Sequence, residues 1–82
     1  MIEEIFNDRK RTILGLINRA LASSGLSDLE RDSLKGAMSI ISEYSFINRH
    51  QMKGKVANAV IDKLRVPRDL GEKIISFDKN IS

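Results

Sequence analysis

The chain has 82 residues, 41% of them hydrophobic and 30% charged, with 14 Lys or Arg against 11 Asp or Glu and a net charge of +3. A chain this short holds one domain, residues 1–82, whose thin core a second chain would thicken. The absence of Cys and the single His exclude disulfide scaffolds, cysteine zinc sites and thiol chemistry. No apolar run reaches the roughly 18–20 residues of a membrane span. The acidic opening Met1-Ile2-Glu3-Glu4 is unlike a secretory leader, so the expectation is a cytoplasmic protein.

The spacing predicts a first helix over 1–24. At about 100° per residue, Ile2, Ile5, Phe6, Ile13, Leu16, Ile17 and Ala20 share one face. Glu3 and Glu4 suit the positive end of its dipole. Gly25 is placed to end it in the left-handed conformation, with Leu26 folding back on Leu21. Gly15 weakens the middle by about 1 kcal/mol and suggests a close helix approach. Arg9 is the oddest residue, because it projects into the apolar face. A buried unpaired charge costs several kcal/mol, so Arg9 must snorkel, pair or lie at an interface.

A second helix is expected over 27–45. Ser27 and Glu30 have capping-box spacing, and Leu34, Ala37, Met38, Ile41 and Tyr44 form its stripe. The short connection between the first two helices implies an antiparallel hairpin. A third helix is expected over 48–66, with Asn48 as N-cap, Gln51 completing a box, and Ile47 and Met52 closing a hydrophobic staple. Its face would be Val56, Ala57, Val60, Ile61 and Leu64, although Gly54 weakens the start and Lys53 falls on the apolar side unless that start is irregular. Pro67 ends it and suits the first position of a fourth helix over 67–78. Leu70, Ile74, Phe77 and Ile81 form the last stripe, and Asp78 to Ser82 are expected to fray. No strand-like alternation competes. The predicted fold is all-α, a small bundle of about four short helices that dimerisation through the first or fourth helix would complete. In such a homodimer, Arg9 would pair with Glu43 of the second copy.

The chemical inventory is thin. A nucleophile–base pair would need His50 beside Thr12, Ser24, Ser27 or Ser45, and nothing in the sequence brings them together. Asp28, Glu30 and Asp32 lack the rest of a calcium loop, and the five Gly residues are scattered singly, so no phosphate loop exists. The reading is a non-enzymatic protein without cofactor, metal or small-molecule substrate.

Charge is more informative. Residues 1–46 carry 6 basic and 7 acidic side chains, net −1, whereas residues 47–82 carry 8 basic and 4 acidic, net +4. The excess lies in a segment holding Arg49, Lys53, Lys55, Lys63, Arg65 and Arg68 against Asp62. A small helical interaction module follows, of the kind bacterial or phage regulators and inhibitors use, binding an acidic protein surface through Arg9, Arg49, Lys55, Lys63, Arg65 and Arg68. The alternative is a DNA-binding regulator using the basic helix 48–66. Against it stand the small net charge, the lack of a turn glycine between the second and third helices, and the shortage of aromatic residues free to stack on bases.

Overall fold

Ser27 caps its helix as the spacing predicts. Its Oγ accepts from the Glu30 N–H at 3.1 Å, and Glu30 Oε1 accepts from the Ser27 N–H at 3.0 Å. In the computed structural model, which describes residues 2–62 and 66–82 (of 61 and 62 the backbone alone), this box opens the second of five helical segments. They are α1 (Glu3–Ala22), α2 (Asp28–Ser42), α3 (Arg49–Met52), α4 (Lys55–Asp62) and α5 (Arg68–Lys79). No strand occurs among the described residues. The all-α fold is the one expected, and the principal packings are α1 on α2, α2 on α4, α4 on α5 and α5 on α1. Four helices thus close a ring around one core, with α3 a single turn beside it.

The stripes of α2 and α5 meet that core as predicted. Leu34, Ala37, Ile41 and Tyr44 are buried, as are Leu70, Ile74, Phe77 and Ile81. Phe6, Phe46, Tyr44 and Phe77 form the aromatic centre. Phe6 lies 6.2 Å from both Phe46, edge to face, and Phe77, while Tyr44 is 5.7 Å from Phe77. Such pairs add about 0.5–1.5 kcal/mol each beyond the area they bury.

The buried face of α1 is narrower than the apolar stripe and displaced to one side. Phe6, Ile13 and Ile17 are buried, but Ile2 is 59% and Ile5 43% exposed. Lys10, on the edge of the buried side, reaches across to the end of α2. Its Nζ donates to the main-chain oxygens of Tyr44 at 2.7 Å and Ser42 at 3.3 Å, a favourable place for a cation near a helix C-terminus.

The end of α1 corrects the expected glycine stop. Ser23 is the C-cap, with extended backbone, and its Oγ donates to the Ala20 carbonyl at 2.8 Å. Arg31 of α2 donates to the Leu21 and Ser23 carbonyls. These donors occupy the carbonyls that a left-handed turn would have served, and Gly25 has no positive φ. Gly15 does not mark a close approach either, because a Cβ there meets nothing within 4 Å. Gly15→Ala therefore gains helix propensity without a clash. It should raise stability by about 0.5–1 kcal/mol, read as a rise in Tm of roughly 2–8 °C. A lower Tm would contradict this account of the site.

The expected helix over 48–66 is divided at Gly54. Lys53 caps α3, and Gly54, with φ +95°, is the one residue of positive φ among the described residues. Only glycine takes that conformation cheaply. The irregular start considered for Lys53 is thus a real break, and it leaves Lys53 exposed in the turn. Asn48 occupies the N-cap position but makes no cap bond. Its Oδ1 accepts from the Ser45 N–H at 2.7 Å and its Nδ2 donates to the Glu43 carbonyl at 2.9 Å, so it ties the loop after α2 instead. The Ile47–Met52 staple does not form, since Ile47 is 93% exposed.

The first turn of α4 is served by groups distant in sequence. The Asp78 carboxylate accepts from the Gly54 N–H at 3.0 Å (Oδ1) and 2.8 Å (Oδ2) and from the Ala57 N–H at 3.2 Å. The Tyr44 hydroxyl donates to Asp78 Oδ1 at 2.8 Å and accepts from the Val56 N–H at 3.2 Å. Asp78 is 1% exposed and Ile81 2%, so the expectation that 78–82 frays fails. One anchors a helix start and the other completes the last apolar stripe. Pro67 stands at the N-cap of α5, one position before the place expected of it.

Candidate functional site

Of the sequence-predicted cations, Arg9, Arg49, Lys55 and Arg68 lie among the described residues, and their surroundings differ. Arg49 is half-buried and committed to the fold. Its guanidinium lies 3.7 Å over the Phe46 ring and donates to the Phe46 and Ser82 main-chain oxygens. Arg68 is exposed, with its Nε 3.4 Å from Glu72. Lys55 is exposed in the first turn of α4. Lys63 and Arg65 lie outside the described residues, as does Leu64. His50 is exposed on α3, while Ser27 and Ser45 are engaged in local backbone hydrogen bonds. No group of three or more potential metal ligands occurs among the described residues, and no helix among them is long and apolar enough to cross a membrane.

Arg9 is different. It is exposed and stands on the flank of α1 that the core leaves uncovered, which resolves the cost of placing a charge on the apolar stripe. There it lines an open groove of about 510 Å³ between α1 and α5. The half-buried Leu16 and the edges of the buried Ile13 and Phe77 supply the apolar lining, Arg9 and Lys73 stand on opposite helices, and Asp8 lines the groove beside Arg9. Thr12, Ser76 and Asn80 add hydroxyl and amide groups. Neither Arg9 nor Lys73 forms an ion pair among the described residues, whereas the neighbouring Asp8 and Glu72 pair with Arg11 at 3.0 Å and with Arg68. No protein-family model matches the chain, and no curated protein or solved structure matches it.

The chemistry of the groove therefore follows from its own residues. Two cations beside an apolar strip attract anionic groups and shelter apolar ones, and the hydroxyl and amide groups donate to oxygen acceptors. Arg9 stood out in the sequence as a charge on an apolar face. Lys73 did not, because nothing local shows that α5 places it across from Arg9. A second, smaller depression lined by Asp69, Glu72, Lys73 and Ser76 adjoins the groove on α5 and mixes both signs of charge.

Proposed function

We propose that this chain is a non-enzymatic interaction module that binds a protein partner through the α1–α5 groove and regulates or inhibits that partner. The observation that carries this reading is the juxtaposition of Arg9 and Lys73, neither of them ion-paired among the described residues, with the half-buried Leu16 and the exposed Ile5 and Ile2 along one flank of α1. Interfaces are recognised by such apolar surface with charge at its rim, and rim cations steer acidic partners in a salt-dependent way. The basic residues that suggested DNA binding give less support to that alternative. Arg49 is internally bonded, and the helix that would enter a groove of DNA is interrupted at Gly54.

Site-specific photo-crosslinking tests the proposal. A photoreactive residue is placed at Thr12 in the groove and, in a control, at Asp32 on the exposed side of α2. Crosslinking is then carried out in the native host. The expected result is a discrete protein adduct from position 12 that is absent from position 32 and is lost in the Arg9→Glu/Lys73→Glu double variant. Adducts to nucleic acid, or protein adducts independent of position, would overturn the reading.

A further inference from the structure

We infer that the groove receives one amphipathic, acidic helix of the partner, with carboxylates meeting Arg9 and Lys73 and apolar side chains covering Ile13, Leu16 and Phe77. This inference rests on the interaction reading and gives the partner a chemical class. Its first support is shape. The groove is open along its length between two helices, whereas small-molecule sites enclose about 70–90% of their ligand's surface. A third helix laid against two others is a common way to fill such a trough.

Its second support is extent. The uncovered flank of α1 runs through Ile2, Ile5, Arg9, Thr12 and Leu16, at steps of three and four residues. Those fourteen residues of rise span about 21 Å, close to four helical turns. Ile2 and Ile5 are exposed, so apolar surface continues beyond the groove in the direction of the helix axis. Its third support is charge. The two cations flank the strip on opposite helices; Asp8, which also lines the groove, is paired with Arg11, and Glu72 is paired with Arg68. Asp69, one turn before Lys73, forms no ion pair with it among the described residues. A helix with Glu on both flanks of a Leu seam complements this arrangement, and a Lys-flanked helix is repelled by it.

The test uses the intact chain, labelled with nitrogen-15, and two synthetic helical peptides of about 18 residues, roughly five turns. Both carry Leu at i, i+3, i+4 and i+7 spacing; one is flanked by Glu, the other by Lys. The Glu peptide should shift the amide signals of Arg9, Thr12, Lys73, Ser76 and Asn80 in a saturable way. The Lys peptide should bind at least about tenfold more weakly, the scale on which like-charge contacts discriminate. Arg9→Glu/Lys73→Glu, which alters only groove-edge side chains, should reverse the preference while leaving the circular dichroism unchanged. Equal binding of both peptides, no response at these residues, or shifts confined to other surfaces would overturn the inference. So would concentration-dependent shifts at the groove without peptide together with a sedimentation mass of two chains, which would assign the groove to a second copy. A Thr12 crosslink to a partner without preference for the Glu peptide leaves the interaction reading standing and removes the acidic class. Preference for the Glu peptide without a Thr12 crosslink overturns the interaction reading, and with it the assignment of the helix to a partner, and leaves only the groove's affinity for acidic helices.

Discussion

Asp78→Ala should lower stability by about 3–5 kcal/mol. The alanine leaves the Gly54 and Ala57 N–H groups without their acceptor and the Tyr44 hydroxyl without the carboxylate it donates to. Each unsatisfied buried donor costs about 1–3 kcal/mol, and bonds to an ionised group lie toward the high end. The favourable position of a carboxylate at the start of α4 is lost as well. Domains of this size are stable by only about 4–12 kcal/mol, so a fall in Tm of roughly 15–30 °C is expected. Asp78→Asn is the informative companion. It keeps the volume but turns one acceptor into a donor that faces backbone N–H groups, so it should recover only part of the loss. Thermal unfolding of the two variants measures this. Wild-type Tm in Asp78→Ala would show that α4 begins at Gly54 for another reason. Phe77, the neighbour of Asp78, forms part of the groove, so loosening this anchor should also disturb the groove signals of α5.

What was legible in the sequence was local. The Ser27–Glu30 box needs two side chains three residues apart and no knowledge of the rest of the fold, and it forms as the spacing implies. The Leu70, Ile74, Phe77 and Ile81 stripe likewise follows from its own periodicity. Asn48 has the same kind of local signal, yet its amide ties Glu43 and Ser45. Helix α3 is one turn long and has less to gain from a cap than the loop has from a fastener. Asp78 was illegible for the opposite reason. Its partners lie 24, 21 and 34 residues away, and a terminal Asp after an apolar stripe carries no mark of such contacts.

The groove was half legible. The stripe of α1 spans Ile2 to Ala20 over an arc too wide for its neighbours to cover. A helical wheel centres the buried face on the whole arc, which puts Arg9 in the middle. Packing instead buries the side holding Phe6, Ile13 and Ile17, with Lys10 engaged at its edge, and leaves the Ile5–Arg9–Thr12 side open. Which side is covered depends on where α2 and α5 sit, and no spacing within α1 records that. The charge that looked misplaced was the sequence's one sign of the open flank.

Alkaline pH should unfold this protein through Tyr44. Its hydroxyl is pushed well above the ordinary 10.0, chiefly because the side chain is buried. The hydrogen bond it donates to Asp78 and the charge of that carboxylate raise it further, against the lowering effect of the Val56 and Lys55 backbone N–H groups. The folded chain therefore holds the phenol proton more tightly than the unfolded chain does. Below pH 10 both states keep the proton and this group adds no pH dependence. Above pH 10 the unfolded state releases it first, and stability falls as the pH rises toward the folded value. With one Tyr and no Trp in the chain, ultraviolet absorbance reports this group alone. The unfolded chain in urea should be half ionised near pH 10.0. The folded chain should show no phenolate there, and should gain it only in step with the loss of helical circular dichroism. A phenolate half formed at pH 10.0 in a fully helical protein would contradict the buried hydrogen-bonded position. In Asp78→Asn, which removes the negative charge and leaves the ring in place, the phenolate should appear at lower pH than in the wild type.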